Sequence, residues 1–527
     1  MKKSILKMTA MLTLAAMLTT VGGCGKKTAD NDAATGGGYG DSYPIKTEEE
    51  VNWWTYIDAN VTATAQNIGD TPYGKKFIEN TGVKINFEHP SLTGSAEQFN
   101  LMLSSGELPD IIDHYWTDFP GGPEKAISDG YIIDLSDLID KYAPNFKKYM
   151  EEHPEYKKYI STDSGAIYMM PYINAITTSG GIIVRQDWLD ELNLEMPETI
   201  DEWYTVLKAF KEKKGAAAPL STDTYTFKAG AFSGAYGILL GLYRDGDTVK
   251  YGYYEDAYKD FLTTLNKWYN EKLFDNNFSS IDSETIRSNM LNDAAGATFG
   301  GITSGINKFM MAKKSDPTYR VVAAPYPSNE KGKKSELGQY VFPVTVFGSA
   351  ISSMCKNPEL AIRLIDYMYS EEGINLVNYG VEGESYNLVD GKPVYTDEVL
   401  NNPNGLTLGQ ALSQYARPYN NYNSVQLYEA YEQTLTTDDM KNAVKVWADQ
   451  NGGEHVVLSL TPTEEEQIKL AEISNAIETY CEEMFIKFVT GTESLDNFDE
   501  YKKNLEKLGV KDFIKIKQAA YDRMNNR

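Results

Sequence analysis

The stretch VNWWTYI at residues 51–57 opens an alternation of strand and helix patterns that continues through PYGKKFIENTG (72–82), VKINFEH (83–89), AEQFNLMLSSG (96–106) and PDIID (109–113). The first, third and fifth segments are short apolar runs of the kind that form buried strands. The second and fourth carry apolar residues at helical spacing and end in a glycine, which is a common helix stop. Strands that alternate with helices pair in parallel, so this stretch predicts an α/β fold with a parallel sheet.

Further helices are predicted downstream from their end signals. Thr199 with Glu202, and Thr463 with Glu466, form capping boxes at the start of amphipathic segments. Residues 357–373 are predicted to form one helix that begins at its Asn-Pro pair and ends at its final glycine. The C-terminal part of the chain is mostly helical in pattern, so a helix-rich region follows the α/β part.

The composition excludes some partners and favours others. The chain has 527 residues and a formal net charge of -25, so its surface repels nucleic acid and no nucleic-acid partner is predicted. Of its three cysteines, we interpret Cys355 and Cys481 as buried thiols rather than as a disulfide framework. The 37 tyrosines and seven tryptophans are unusual, and such rings suit ligands that present both C–H faces and hydroxyl groups.

The N-terminus carries the features of a lipoprotein leader. Three lysines precede an apolar run at 8–21 that is too short to span a bilayer, which predicts a signal peptide over residues 1–23. The run ends in VGGC, which resembles a bacterial lipobox with Cys24 as the lipidated residue. Residues 24–47 are small, polar and glycine-rich and predict a flexible tether. We therefore expect a lipid anchor on the extracellular face of a bacterial cell membrane.

Patterns typical of enzymes and metal sites are absent from the sequence. There is no GxSxG, HExxH, CxxC, Walker A or GxGxxG motif, and the four scattered histidines do not form a metal-binding set. No catalytic residue, metal or cofactor is therefore predicted. The 75 acidic residues leave a surface glycosidase as an alternative, because such enzymes need two suitably placed carboxylates.

Five longer segments follow one another along the chain: NLMLSSGELPDII (100–112), GAIYMMPYI (165–173), IIVRQDWLDELNLEMPETIDEWYTVLKAF (182–210), NPELAIRLIDYMYSEEG (357–373) and NYGVEGESYNLVDG (378–391). Together they resemble the extracellular solute-binding protein family 1 of ABC importers, most closely its large carbohydrate-type lipoproteins of Gram-positive bacteria. The resemblance implies a two-lobe clamp of the periplasmic-binding-protein type II class, with each lobe a sheet flanked by helices.

The resemblance also implies a division of the chain and a function. Residues 48–170 with 341–390 would form the first lobe, 171–340 the second, and 391–527 a mostly helical region packing on both. The protein would be a monomer that captures a carbohydrate, most simply an oligosaccharide, between its lobes and delivers it to the transmembrane subunits of a permease. The same fold binding a peptide or another solute is the alternative.

Ligands of open α/β sheets bind beyond the carboxyl ends of the strands, and this rule selects the candidate contacts. Because Trp53 and Trp54 alternate along a strand, one should face the core and the other the cleft. Glu382 has a second possible role, which is to hold its own turn through backbone N–H groups. Carboxylates accept paired sugar hydroxyls and aromatic faces stack on sugar rings. The candidate ligand contacts are Trp54, Asp113, Tyr115, Trp116, Tyr172 near the hinge, Tyr225, Phe227, Gly300, Gly301, Glu382 and Tyr386.

Two further segments are interpreted against the pattern of the family. Arg185, Asp187 and Trp188 recur in the family, and we interpret them as packing within a lobe rather than as ligand contacts. Some relatives, among them alginate-type binders, carry an acidic calcium loop where this chain has KEKKGAAAPLS (211–221). No carboxylates alternate there, so no calcium is expected at that position and a polyuronate substrate is less favoured.

Overall fold

The alternating segments after residue 50 form the first sheet, as the sequence predicts. In the computed structural model its five strands lie in the order Lys84–Glu88, Glu50–Trp54, Ile111–Tyr115, Val344–Ile351 and Met170–Ile173. The first three pair in parallel. The fourth runs antiparallel to both of its neighbours, so the sheet is mixed rather than wholly parallel.

The structure describes residues 38–40, 42–91, 94–178, 180–417, 424–458 and 460–527. Asp41–Arg527 form one compact unit. The predicted signal peptide, the lipidation residue Cys24 and most of the predicted tether lie outside the described residues. Within the described ranges, no helix combines the length and the apolar character that a membrane crossing requires.

The second lobe is built on a sheet of four strands, in the order Val321–Ala323, Gly180–Arg185, Ala297–Gly301 and Leu220–Ser221. The second of these runs antiparallel to both neighbours, and the last two pair in parallel. A large aromatic core packs against this sheet and includes the buried rings of Trp188, Trp203, Phe210 and Trp268. Each lobe is therefore a sheet with helices packed against it, which is the arrangement that the resemblance implies.

Helices surround the two sheets. Those that follow the strands of the first lobe are Ala59–Thr62, Pro72–Thr81, Ser95–Ser105, Gly122–Ser128, Ser136–Tyr142, Pro144–Glu152, Lys157–Ile160, Pro358–Tyr367 and Glu371–Tyr379. Those of the second lobe are Gln186–Leu192, Ile200–Lys214, Thr224–Lys228, Ala257–Asn270, Ser283–Leu291, Lys308–Ala312 and a π-helical turn at Ile302–Asn307. Two hairpins, Leu242–Asp245 with Thr248–Tyr251 and Tyr386–Val389 with Lys392–Tyr395, complete these parts.

The helix ends test the sequence signals directly. Both capping boxes are confirmed, at the starts of helices Ile200–Lys214 and Glu464–Thr490. The single helix predicted over 357–373 is wrong, because the segment forms two helices that meet near Ser370. The Ser370 hydroxyl accepts a hydrogen bond from the Gly373 N–H at 3.0 Å, so this glycine lies in the first turn of the second helix. Ser370 is therefore the N-terminal cap of the second helix, and the glycine at 373 does not end a helix.

Two segments cross between the sheets and lie side by side. One leads from Ile173 to Gly180, and the other returns from Ala323 to Val344. The Val341 N–H donates to the Thr177 carbonyl and the Asn174 N–H to the Pro343 carbonyl, both at 2.7 Å. Because strand Met170–Ile173 belongs to the first sheet, the lobe boundary expected after residue 170 lies three residues or more further along the chain.

The C-terminal region contacts both lobes. Helices Asp397–Leu400, Leu408–Tyr415 and Tyr428–Thr434 share a small core with Tyr379 of the first lobe. Helix Asp438–Ala448 packs on strand Val321–Ala323, where the Trp447 indole N–H donates to the Ala324 carbonyl at 3.1 Å. The remaining helices pack mainly on the second lobe and are Glu464–Thr490, Phe498–Leu508 and Val510–Asn525.

Candidate functional site

The strand directions place the carboxyl ends of both sheets beside the crossing segments. Strands Ile111–Tyr115 and Met170–Ile173 both run antiparallel to Val344–Ile351, so both end at the edge from which the chain leaves the first lobe. In the second sheet Gly180 pairs with Gly301, so strand Ala297–Gly301 ends where the chain enters that lobe. The two edges therefore flank one interlobe cleft, which is the place where open α/β sheets bind ligands.

A cavity of about 490 Å³ opens at the carboxyl edge of the second sheet. We call it the Tyr225 cavity. The structure brings three of the candidate residues into its lining, namely Tyr225, Gly300 and Gly301. Its other lining residues include Gly180, Asp223, Glu284, Arg287, Phe299, Lys308 and Gln339.

Tyr225 is the aromatic ring that this cavity presents to solvent. Asp223 caps helix Thr224–Lys228 by accepting a hydrogen bond from the Thr226 N–H at 3.1 Å. This short helix leaves Tyr225 59% exposed. The Tyr225 and Phe299 rings meet edge to face, with centroids 6.1 Å apart. An exposed ring held in a wall that also carries polar groups is suited to stacking on a ligand ring.

Asp275 holds the loop that carries these residues, and sequence reasoning missed it. Its carboxylate accepts hydrogen bonds from the Thr222 N–H at 2.7 Å and from the Asn289 side chain at 3.2 Å. The Asn289 side chain also donates to the Ser221 hydroxyl at 3.0 Å. Asp275 is buried, and that burial raises the pKa of its carboxyl group. No local sequence signal marks it, since Thr222 lies 53 residues before it in the chain and Asn289 lies 14 residues after it.

The charged groups of the cavity partly neutralise one another. Both Nε and Nη2 of Arg287 donate to one Glu284 oxygen, at 3.0 and 2.5 Å. Asp223 and Lys308 add one charge of each sign to the lining. The cavity therefore offers polar contacts without a strong excess of either charge.

The facing edge of the first lobe carries a second aromatic group, which we call the Tyr56 cluster and which consists of Tyr56, Tyr115 and Phe347. The Phe347 ring lies 5.0 Å from the Tyr115 ring and 5.8 Å from the Tyr56 ring. Both tyrosines are half-buried. Burial raises the pKa of Tyr56 to about 12, so its hydroxyl stays protonated. Tyr115 was a candidate, whereas Tyr56 was missed although it stands two residues beyond Trp54 on the same side of the chain.

His114 lies directly behind this cluster. Its Nδ1 is 3.3 Å from the Tyr56 hydroxyl oxygen, and its ring stacks on Phe99 with centroids 3.6 Å apart. The side chain is 7% exposed, and burial lowers its pKa to about 4. A neutral imidazole therefore supports Tyr56 at neutral pH.

The stability of the protein should depend on pH through His114. The folded pKa is depressed, so the unfolded chain takes up a proton first as the pH falls. Relative to His114→Gln, the wild type should lose about 2 kcal/mol of unfolding free energy between pH 7 and pH 5. Denaturant unfolding of both proteins at several pH values measures the difference, in which other titrating groups cancel. A difference that does not vary with pH would contradict the assignment.

Several candidate contacts are corrected by their burial. Trp116 is 0% exposed, and its indole N–H donates to the Gly348 carbonyl at 3.1 Å. Asp113 is buried and accepts a hydrogen bond from the Ser349 hydroxyl, so its carboxylate links two neighbouring strands of the first sheet. Tyr172 and Phe227 are buried as well. These side chains are covered by protein, so none of them presents a free surface to a ligand.

The expectation for the paired tryptophans is also corrected. Trp53 packs against Phe77 and Phe87, with ring centroids about 6 Å away. Trp54 packs against Tyr56 and Phe99 and is buried too. Both rings are covered, so neither face of this strand is open to the cleft at these two positions.

The last two candidates lie in the hairpin at 386–395 and the turn before it. Glu382 is exposed, and Tyr386 packs on Tyr379 with ring centroids 5.8 Å apart. Neither residue lines the Tyr225 cavity. The Gly383 N–H donates to the Tyr386 carbonyl at 2.8 Å, so backbone bonds rather than the Glu382 carboxylate close this turn.

The VRQDW segment packs within its lobe, as interpreted from the sequence. Arg185 is buried and pairs with Asp187 and Asp293 at 2.6 Å each. Its guanidinium also lies over the rings of Trp188 and Tyr319. The two cysteines in the described part of the chain, Cys355 and Cys481, are free thiols, the first half-buried and the second buried. Over the same ranges, no three histidine, cysteine or acidic side chains lie close enough to hold a metal ion.

Sequence similarity assigns this chain to a known protein family. The family of bacterial extracellular solute-binding proteins matches residues 58–374, which is more than half of the chain. This chain belongs to that family. Members of this solute-binding family bind ligands, and its structural neighbours share the two-lobe fold.

Relatives of this solute-binding protein cover from about two thirds to almost all of its length. The fructooligosaccharide ABC transporter substrate-binding protein FusA of Streptococcus pneumoniae is 25% identical, over 97% of this chain and 96% of its own. Lipoprotein LipO of Bacillus subtilis is 27% identical over 66% of this chain and 70% of its own. The crystal structure of the alginate-binding protein AlgQ2 without calcium ion is 28% identical, with a TM-score of 0.72 over 90% of this chain and 98% of that one.

Proposed function

We propose that this protein is the substrate-binding subunit of an ABC importer and that it captures an oligosaccharide between its lobes. The observation that carries the proposal is the Tyr225 cavity, which combines an exposed aromatic ring with a polar lining at the carboxyl edge of the second sheet. The Tyr56 cluster at the carboxyl edge of the first sheet is proposed as the second wall of the site. Aromatic faces stack on the C–H faces of sugar rings, and neighbouring amides and carboxylates bind their hydroxyl groups. The class of ligand named for the relatives FusA and AlgQ2 supports a glycan.

A neutral glycan fits the charges of the Tyr225 cavity better than a peptide does. A short peptide presents two charged ends, and each needs a partner of opposite charge. Arg287 is already engaged by Glu284, and among the described lining residues the other cation is the exposed Lys308. Hydroxyl groups have no such requirement, because they accept and donate hydrogen bonds without a net charge.

The proposed mechanism is capture by closure. The two crossing segments allow the lobes to change their angle, and a ligand that touches both lobes favours the closed arrangement. The closed protein then delivers the ligand to the transmembrane subunits of the permease. No bond in the ligand is broken, so the protein acts as a binding subunit and not as a glycosidase.

The setting of this protein is part of the same proposal. We place it outside the cell as a monomer, held to the membrane by a lipid on Cys24. The tether that we propose ends before Tyr43 rather than at residue 47, because the Tyr43 hydroxyl donates to the Arg363 carbonyl at 2.6 Å and Ile45 is buried. The family and the lipoprotein relative support an extracellular, membrane-associated location. The strongly negative charge of the chain argues against nucleic acid as a partner.

Isothermal titration of residues 25–527 tests the function. The glycan panel contains kestose, oligogalacturonate, alginate oligomers, xylo-oligosaccharides and host N-glycans, with short peptides as controls. We expect saturable heat with one glycan class, in the micromolar range or tighter, and recovery of that glycan unchanged by chromatography. Heat from peptides alone would overturn the carbohydrate assignment, and released sugar products would favour the glycosidase.

A further inference from the structure

Gln339 lies where the Tyr225 cavity meets both crossing segments. It belongs to the returning segment between Ala323 and Val344, and its side chain lines the cavity together with Gly180. Gly180 is the first residue of the second sheet after the other crossing segment. The Gly180 N–H donates to the Gln339 side-chain oxygen at 3.0 Å. One side chain therefore links the two crossing segments at the wall of the ligand cavity.

The surroundings of Gly180 hold its peptide groups from both sides. The buried Tyr326 hydroxyl donates to the Gly180 carbonyl at 2.8 Å. The Gln339 carbonyl accepts a hydrogen bond from the Gln450 side chain at 3.0 Å. A Cβ atom on Gly180 would lie 3.3 Å from the Gly300 carbonyl oxygen and 3.4 Å from the Gln339 amide oxygen. The amide group of Gln339 is therefore fixed against a close-packed backbone.

The amide of Gln339 still has donors to offer. A carboxamide has one oxygen acceptor and two N–H donors. The oxygen is engaged by Gly180, and no hydrogen bond from its nitrogen is formed to any residue that the structure describes. The side chain is half-buried and borders the cavity, so this nitrogen is available to a ligand that enters.

We infer that Gln339 donates from its amide nitrogen to a hydroxyl oxygen of the bound glycan while its oxygen holds the Gly180 N–H. Gln339 is then a positioning residue that ties occupancy of the cavity to the relative orientation of the lobes. A bound hydroxyl restricts rotation of the amide and polarises its bond to Gly180, so the pairing of the crossing segments is stiffened. The inference rests on the proposed function, because it requires a hydroxylated ligand in this cavity.

Two substitutions separate the two halves of this role. Gln339→Glu keeps an oxygen that can accept the Gly180 N–H but lacks the nitrogen donor. Gln339→Leu removes both groups at similar size. The matched control is Gln186→Leu, since Gln186 donates to Asp190 on its own helix and lies outside the Tyr225 cavity.

One measurement reports the proposed ligand contact, and a second reports the link between the crossing segments. Titration with kestose, or with the panel glycan that binds the wild type, reports affinity. Spin labels at Glu79→Cys on the first lobe and Lys213→Cys on the second, in a Cys355→Ser background, report the interlobe distance without ligand. Both label positions are exposed.

For Gln339→Glu we expect a roughly tenfold weaker affinity with an unchanged distance distribution in the ligand-free protein. For Gln339→Leu we expect a similar loss of affinity and a broader distance distribution, and for Gln186→Leu neither change. Wild-type affinity in Gln339→Glu would overturn the ligand contact, and an unchanged distribution in Gln339→Leu would overturn the link between the segments. A wild type that binds none of the glycans would instead overturn the proposed function, and this inference with it.

Discussion

Replacing Tyr225 with alanine should weaken glycan binding by about 1–3 kcal/mol, which is roughly a 5- to 150-fold rise in dissociation constant. The side chain is 59% exposed and stands edge to face with Phe299 in the wall of the cavity. A sugar stacked on it would cover one exposed face of the ring, so truncation would remove that contact. Titration with the panel glycan measures the change.

Controls separate this effect from a loss of structure. Because most of the Tyr225 side chain is in solvent, its removal should change the unfolding free energy by less than about 0.5 kcal/mol. Tyr428→Ala removes another exposed tyrosine, at 37% exposure, and should bind as the wild type does. Tyr225→Phe keeps the stacking face and should retain most of the affinity. Unchanged affinity in Tyr225→Ala would remove the cavity from the binding site.

The first sheet shows what local patterns predict well. Three of its strands and the helices between them follow from periodicity and glycine stops within residues 51–113. Strand Val344–Ile351 could not be placed in the same way, because its partner Ile111–Tyr115 lies more than two hundred residues earlier. Pairing at that distance depends on the whole chain folding back, and no local signal records it.

The candidates Tyr225 and Phe227 show why a predicted site is only partly correct. Both residues follow strand Leu220–Ser221, so the rule that ligands bind beyond the carboxyl ends of strands selects both. The segment instead forms a one-turn helix capped by Asp223. Residues two apart on a helix point about 200° from each other, so one ring faces the cavity and the other enters the core. The sequence therefore identified Tyr225 as a cavity residue, but the direction of Phe227 depended on the helix that Asp223 caps.

Trp116 illustrates a similar failure on the first lobe. It follows directly on strand Ile111–Tyr115, so a sheet-edge rule sends it to the cleft. The chain turns at once into a 3₁₀ helix at Trp116–Asp118, and the indole is directed back towards Gly348. The half-buried Tyr56 and Tyr115 occupy the edge instead. Tightly turned segments at strand ends decide which ring is exposed, and residue type alone does not report them.

Asp163→Ala should destabilise the protein by about 1–3 kcal/mol, because it removes a carboxylate shared by two arginines at the lobe interface. Val510 and Phe513 of helix Val510–Asn525 pack in the core of the second lobe. Beyond its last turn, Arg527 bonds Asp163 of the first lobe at 2.6 Å, and Arg523 bonds the same carboxylate at 2.7 Å. One acidic side chain therefore fastens the C-terminal helix of one lobe to a loop of the other.

The burial of Arg527 increases the expected fall in the free energy of unfolding. Its side chain is 3% exposed, whereas Arg523 is less buried and keeps a second carboxylate, Glu466, at 2.5 Å. Without Asp163, the Arg527 guanidinium keeps the Ser161 carbonyl at 2.6 Å as an acceptor but loses the carboxylate that it bonds. Removing the partner of a buried charge lowers the free energy of unfolding by more than breaking an ion pair on the surface does.

The matched control is Asp137→Ala, which breaks an exposed pair with Lys141 on the first lobe, where the two side chains are 91% and 62% exposed. It should cost at most about 0.5 kcal/mol, because water and salt already screen such a pair. Denaturant unfolding at pH 7 in low and high salt compares the two variants. The Asp163 effect should fall less in high salt than the Asp137 effect, because the Arg527 side chain is 3% exposed although that of Asp163 is 27% exposed. Equal losses in the two variants would show that the contact between Asp163 and the arginines adds no more than an ordinary surface ion pair.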